Sequence, residues 1–197
     1  MSHSVDFFDR QFQRQIGSAD FALNPFEQIA LPYLLGDVLD MGCGLGNLAL
    51  AAARQGCRVT ALDGSAAGIA RLEDAAGEQG LDVYARRVDL AHETPGPGYD
   101  GVVAIGLLMF FPRSRAVELL QAIRDCTRPG GVAVVNVLIE GTTYLDMFEP
   151  ERYTLFGADE LERSFAAWQI VDARRDGFDA PGGTRKEFAT VIARRPI

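Results

Sequence analysis

The chain has 197 residues, of which 48% are apolar and 23% charged, the composition of one soluble globular domain with a substantial core. Its net charge of −8, with no lysine- or arginine-rich run, disfavours nucleic acid and anionic membranes as partners. Cys43, Cys57 and Cys126 are odd in number and scattered, so they give neither a disulfide framework nor a CxxC metal spacing, and no metal site is expected.

The N-terminal "MSHSVDFFDRQFQRQ" lacks the basic start and apolar stretch of a secretion signal, and a reduced, cytoplasmic setting is the default expectation. The longest apolar run, "VVAIGLLMFF", is too short to span a bilayer. Two helices are predicted first. In "VDFFDRQFQRQI", Val5, Phe8, Phe12 and Ile16 recur at helical spacing. In "NPFEQIALPYLL", Asn24 suits the N-cap and Pro25 the first helical position, while Pro32 is expected to kink or end the helix.

A regular alternation follows. "DVLDM" reads as a strand, "NLALAAARQG" as a helix closed by Gly56, "CRVTALD" as a second strand and "SAAGIARLEDAAGEQ" as its helix. "LDVYARRVD" is a third strand, the loop "HETPGPG" leads to the fourth, "YDGVVAIG", and a helix is expected over residues 114–127. "RPGG" should break that helix before a fifth strand, "VAVVNVLI". A helix "GADELERSFAAW" then precedes two strands, "QIVDARRD" and "RKEFATVIARR", joined hairpin-fashion by "GFDAPGGT". Near-continuous apolar strands alternating with helices predict a parallel sheet covered on both faces, finished by one antiparallel strand.

The stretch "VLDMGCGLGN" sits where the first strand becomes a helix, the position at which open α/β sheets bind ligands. Gly42, Gly44 and Gly46 would let backbone approach a ligand. A dinucleotide turn asks for GxGxxG with a pyrophosphate on the helix N-terminus; here the spacing is GxGxG, with Asn47 where the third glycine belongs. Asp40 precedes the glycines and suits a positively charged ligand. Asp63 ends the second strand, 23 residues later, placed for ribose hydroxyls, and Asp89 ends the third, placed for an exocyclic amine. Each acid alone could be only a turn former or helix cap. Together, a cation, a ribose and an adenine describe S-adenosyl-L-methionine (SAM) better than NAD.

These motifs resemble those of the class I SAM-dependent methyltransferases: "VLDMGCGLG" the first, "VTALDGS" the second, "RRVDL" the third and "RPGG" the turn before strand five. The resemblance implies a Rossmann-like three-layer αβα sandwich with a seven-stranded, mostly parallel sheet and an antiparallel last strand. It makes residues 1–197 one domain, with 1–35 a helical lid over the donor and 36–197 the SAM-binding core. It implies that Asp40, Gly42 and Gly44 hold the methionine part and Asp63 the ribose, with Cys43, Asn47, Gly64 and Ser65 also among the cofactor-binding residues. Asp89 and Leu90 would flank the adenine, and Ala104, Ile105 and Gly106 would line the methyl-donor side. S-adenosyl-L-homocysteine (SAH) would be the product. Within the class, "FFDRQF", "YDGVVAIGLLMFF", "CTRPGG" and "KEFATVIARR" are similar to the small tellurite-resistance methyltransferases. Those usually carry Asn-Gly-Arg-Asn through the glycine turn, where this chain has Leu45, Gly46, Asn47 and Leu48, and a His-Arg pair before the last strand, where it has none.

The segment after the fourth strand, "IGLLMFF", is apolar and lacks the Asn/Asp-Pro-Pro-Tyr or Pro-Cys elements of nucleic-acid base methylation. His3 and His92 are the only histidines, and neither is an obvious base; His92 reads as a surface residue. Met109 and Phe110 are the candidates for facing the acceptor, with Arg185 a candidate basic partner, while Leu107 and Phe111 read as core. Cys43 reads as a small packing residue, and Arg174, Arg175, Arg185 and Lys186 as a solvated hairpin edge. A small-molecule acceptor that is a soft anion (thiol, selenium or tellurium species) would need no base. A non-catalytic SAM sensor, methylation of a small carboxylate or nitrogen metabolite, and an NAD-dependent oxidoreductase stay open as alternatives. A monomer or homodimer is expected, without nucleic acid or membrane.

Overall fold

The computed structural model of the protein describes residues 8–9, 11–15 and 21–197. Residues 8–9 and 11–15 are helical; Val5, Ile16 and His3 lie outside the described residues. Helix α1 (Pro25–Ala30) starts as its sequence requires. Asn24 Oδ1 accepts from the N–H groups of Phe26 and Glu27 at 2.9 and 3.0 Å, and Glu27 Oε2 accepts from Asn24 N–H at 2.8 Å, a reciprocal cap. Pro32 has no N–H to continue the ladder, and the chain tightens into a 3₁₀ turn, Leu31–Tyr33.

The remaining order is β1 (Asp37–Met41), α2 (Asn47–Arg54), β2 (Arg58–Asp63), α3 (Ala66–Gln79), β3 (Val83–Arg87), β4 (Tyr99–Ile105), α4 (Arg113–Cys126), β5 (Thr127–Leu138), α5 (Glu160–Ser164), β6 (Gln169–Ala180) and β7 (Thr184–Arg194). They build one seven-stranded sheet in the order β3-β2-β1-β4-β5-β7-β6. The pairings from β3 through β5 are parallel, and β7 runs antiparallel between β5 and β6. Because both faces are covered, the central strands are apolar on both sides. Leu39, Met41, Val102 and Ala104 pack with α4 and α5 residues such as Leu119 and Leu161, whereas Val38, Val59 and Val103 pack with Ala30, Leu48 and Leu72 from α1, α2 and α3. The three-layer α/β sandwich with an antiparallel C-terminal strand is therefore the observed fold.

Three elements differ from expectation. "RPGG" does not separate α4 from β5; the strand begins at Thr127, directly after the helix. Thr127 Oγ1 closes α4 by donating to Ile123 O at 2.8 Å. Gly130 N–H donates to Arg195 O at 2.9 Å and Arg195 N–H to Gly131 O at 2.8 Å, so pairing with the chain end holds the Pro-Gly-Gly segment extended. The segment "GADELERSFAAW" forms only the short α5, because the chain then turns to bury Phe165 and bring Trp168 edge-on to it at 5.2 Å. The hairpin is tighter than the sequence suggests: Ala180 pairs with Thr184, leaving Pro181–Gly183 as the turn.

Between β1 and β4 the connections diverge, one leading towards β2 and β3, the other towards β5, β7 and β6. The crevice beyond the carboxyl ends of these two strands is where such a sheet accepts a ligand.

Candidate functional site

A cavity of about 1030 Å³ opens at that crevice, lined by residues that include the glycine turn after β1, the ends of β2 and β3, the segment after β4, and the C-terminal hairpin. This is at the upper end of the range of about 300–1,000 Å³ for small-molecule sites. Of the residues singled out in the sequence, Asp40, Gly42, Cys43, Gly44, Asn47, Asp63, Gly64, Ser65, Asp89, Leu90, Ile105, Gly106, Met109 and Phe110 all border it.

The glycine turn is built for close approach. Gly42 and Gly44 have φ of 73° and 55°, in the left-handed region that disfavours side chains. A Cβ at Gly42 would meet Leu107 Cδ1 at 2.7 Å, and one at Gly44 would meet the Phe12 ring at 3.0 Å. The turn is tied to the end of β2: Gly42 and Cys43 N–H groups donate to Leu62 O at 2.7 and 3.1 Å. Cys43 is buried, and burial pushes its thiol well above the ordinary range, so it behaves as an inert packing group.

Asp40 is 5% exposed, and its Oδ2 has no hydrogen-bond partner among the described residues. Burial, with Glu27 and Asp63 nearby, pushes its carboxyl up to about 8. A buried carboxylate oxygen without a donor, on the wall of a cavity, asks for a cationic hydrogen-bond donor from a ligand. Asp63 is the counterpart at the end of β2. Its Oδ2 accepts from Gly44 N–H at 2.8 Å and its Oδ1 from Ser65 N–H at 2.7 Å. Burial still raises its carboxyl, against these N–H groups and that of Gly64. Each of its oxygens retains a lone pair for a ligand hydroxyl. Ser65 caps α3 through Gly68 N–H at 3.0 Å and donates to Asp9 Oδ1 at 2.5 Å, joining the N-terminal helical segment to the turn.

Asp89 sits at the rim. Its Oδ1 accepts from Ala91 N–H at 3.0 Å, the turn-forming role, and His92 Nε2 lies 4.0 Å from its Oδ2. Leu90 beside it is buried. Asn47 Oδ1 accepts from Arg71 Nη1 at 3.1 Å, and Gly106 N–H donates to Asn136 O at 3.0 Å. The segment after β4 makes an apolar wall. Phe110 meets Phe8 edge-on at 4.9 Å and Phe148 at 5.1 Å. Met109 packs with Leu138, Met147 and Phe148. Leu107 and Phe111 pack against the core, as expected, and also border the cavity.

Two expected site residues lie elsewhere. Ala104 does not border the cavity: strand alternation turns it into the core face of β4, fully buried between Val102 and the α4 side chains. Arg185 is exposed and paired, Nη1 to Asp179 Oδ1 at 2.7 Å and Nε to Glu187 Oε1 at 2.9 Å, so it does not face the acceptor side. Conversely, Lys186, taken from the sequence as a solvated edge, borders the cavity with its Nζ 4.6 Å from the Tyr144 ring centroid. Glu27, Asn136, Phe26, Phe178 and Phe188 are further wall residues that the sequence reading passed over. Glu27 carried a signal in its capping box and Phe26 is its neighbour on α1; Asn136, Phe178 and Phe188 reach the cavity only through sheet pairing distant in sequence.

SAM fits this set of groups. The unpartnered Asp40 oxygen suits its ammonium, the glycine cradle admits a chain at backbone distance, and Asp63 can accept from two ribose hydroxyls. Among the described residues no three His, Cys, Asp or Glu side chains converge as a metal ion would need, and no helix is long and apolar enough to cross a membrane.

Comparison with known proteins agrees. Residues 38–131 match the methyltransferase-domain family. The chain is similar to hemagglutinin 1 of Eikenella corrodens, 29% identical over 164 residues, covering 80% of this chain and 54% of that protein. It is 26% identical over 165 residues to the probable S-adenosyl-L-methionine-dependent methyltransferase TehB of Haemophilus influenzae, covering 80% and 57%. The crystal structure of TehB from Haemophilus influenzae superposes with a TM-score of 0.77 at 21% identity, over 92% of this chain and 65% of that one. The chain thus spans little more than half the length of these curated relatives. With the fold, the glycine turn and the acids Asp40 and Asp63 gathered at one crevice, residues 38–131 are a methyltransferase domain, and the chain is similar to the class I S-adenosyl-L-methionine-dependent methyltransferases of the TehB type.

Proposed function

We propose that the chain binds SAM between the β1 turn and Asp63 and directs its methyl group onto a small acceptor, a soft anion such as a thiolate or a reduced selenium or tellurium species. When bound, SAM supplies a methyl carbon on a sulfonium; a lone pair of the acceptor forms the new bond as the carbon–sulfur bond breaks, leaving SAH. The observation that carries the donor assignment is the buried, unpartnered Asp40 Oδ2 on the cavity wall beside Gly42 and Gly44. The acceptor class is supported by the wall that continues from it: Met109, Phe110, Met147 and Phe148 are apolar and polarizable.

The protein's work in such a displacement is alignment and exclusion of water. Asp40 and Asp63 fix the donor at its two polar ends, while Phe8, Phe12 and Phe110 close the cavity from the N-terminal side. An acceptor that arrives as an anion loses charge as it reacts with a sulfonium, and a low-dielectric wall favours that charge annihilation. The test is an acceptor panel with SAM, read as SAH formed and, for chalcogen substrates, as volatile methylated product by headspace mass spectrometry. Thiols, or selenite and tellurite with excess thiol, should react, and amines and alcohols of similar size should not. Methylation confined to amines or alcohols would overturn the soft-acceptor assignment.

A further inference from the structure

We infer, resting on the methyl-transfer reading above, that the acceptor carries an anionic group on an apolar, planar body, and that Lys186 is the residue that selects it. Lysine and arginine total 19 in this chain, and Lys186 is the only lysine. On β7 the side chains alternate. Arg185 and Glu187 pair with each other at 2.9 Å, whereas Lys186 lies opposite Phe178 of β6 and both border the cavity. Other cations of this hairpin are neutralised: Arg185 by Asp179 and Glu187, Arg174 by Asp172 at 2.6 Å, and Arg175 by Asp159 and by Glu162 at 3.3 Å. Lys186 has no carboxylate within 4.0 Å among the described residues; it has the face of Tyr144.

That arrangement polarises the cavity. Three carboxyl groups, Glu27, Asp40 and Asp63, lie towards the glycine turn, where a cationic donor would draw the proton from Asp40, whereas two other acids of the wall, Asp179 and Glu149, are paired with Arg185 and Arg152. Of the cations that border the cavity, Arg152 is paired with Glu149 at 3.4 Å, whereas Lys186 has no carboxylate partner among the described residues. Partial burial lowers its affinity for its proton, which an anionic ligand would restore. Phe178 and Phe188, 5.9 Å apart, lie beside it, and Phe148 and Tyr144 complete a wall suited to a ring. A short ammonium is the point charge that a carboxylate or oxyanion of such an acceptor would meet.

The experiment uses two probe acceptors of similar shape, 4-mercaptobenzoate and 4-methylthiophenol, with the wild-type chain, Lys186→Met and Lys186→Arg. Lys186→Met keeps the apolar stem, Lys186→Arg keeps the charge, and SAH binding reports an intact fold in each. The ratio of kcat/KM for the carboxylate over the neutral thiol should fall about tenfold or more in Lys186→Met, carried by KM, and recover largely in Lys186→Arg. An unchanged ratio in Lys186→Met overturns the inference. A second readout needs no turnover. An amine-selective reagent has only Lys186 and the N-terminal amine to modify, and peptide mass spectrometry follows Lys186 alone. With SAH present, 4-mercaptobenzoate should slow its modification and 4-methylthiophenol should not. If neither thiol yields SAH while protection by the carboxylate persists, the soft-acceptor reading fails and the anion site stands. Without carboxylate-specific protection, the anion site fails whatever the turnover.

Discussion

The N–H of Gly44 donates to Oδ2 of Asp63 at 2.8 Å, so the acid that ends β2 holds the glycine turn that follows β1. One carboxylate thus shapes the cradle and, in the proposed binding mode, would accept from the ribose hydroxyls with its remaining lone pairs. Asp63→Ala removes both roles, leaving Gly44 and Ser65 N–H groups without their acceptor. Hydrogen bonds to a charged group contribute about 1.5–3 kcal/mol each, so donor affinity should fall on the order of a hundredfold while the fold persists. Calorimetric titration with SAH measures it; an unchanged Kd would remove Asp63 from the site.

Asp40 predicts a proton balance. With its carboxyl raised to about 8 by burial and by Glu27 and Asp63, it is mostly protonated at pH 7 in the free chain. A donor ammonium against it displaces that proton, so SAM binding at pH 7 should release about one proton, seen as a heat that varies with buffer ionisation enthalpy. Asp40→Asn should abolish the release and weaken SAM more than an analogue lacking the amino group. The same shift fixes the sign of stability against pH. The folded chain holds a proton between the ordinary value near 3.8 and about 8 that the unfolded chain gives up, so Asp40 costs stability progressively as pH rises through that window. Asp40→Asn should therefore melt several degrees above wild type at pH 8, with the difference shrinking towards pH 4. A gap independent of pH would contradict the burial argument.

What the sequence made legible was what local chemistry determines. Asn24 announced α1 because its cap needs only the next three residues, and Asp63 announced the end of β2 because strand, acid and turn are contiguous; β1 runs one residue past Asp40, and β3 ends at Arg87, two residues before Asp89. What it concealed depends on distant pairing. Lys186 and Phe178 face the cavity because β6 and β7 pair in one register, and a shift by one residue would exchange Lys186 for Arg185. Ala104 was misplaced for the same reason: a strand buried on both faces gives no alternation from which to read which layer a small residue enters. "RPGG" read as a break because the backbone partner that keeps it extended, Arg195, lies at the other end of the chain.

Gly68 and Gly77 occupy the same helix and predict opposite outcomes. A Cβ at Gly68 would lie 2.3 Å from the carbonyl oxygen of Gly44, backbone against backbone, whereas one at Gly77 would meet nothing within 4 Å among the described residues. Gly68→Ala should destabilise by about 1–3 kcal/mol and weaken the donor by displacing the turn. Gly77→Ala should stabilise by up to about 1 kcal/mol through helix propensity. Denaturant unfolding distinguishes them; equal effects would mean the turn and α3 are not in register contact.

Phe12 stands over Gly44, and Phe8 over Phe110. If this helical segment covers the donor, Phe12→Ala should speed SAH release by about tenfold, the equivalent of one lost aromatic contact, with a smaller effect on association. Stopped-flow displacement reads both rates. An unaltered release rate would assign the segment a packing role only.

The measurement closest to the central claim is a side-by-side calorimetric titration of the wild-type chain with SAM, SAH and NAD at pH 7. One-to-one binding of SAM and SAH, with the buffer-dependent proton release from Asp40 for both and no heat from NAD, is the predicted result. Binding of NAD with none of SAM or SAH would contradict the assignment of the β1 turn, Asp40 and Asp63 to a sulfonium donor.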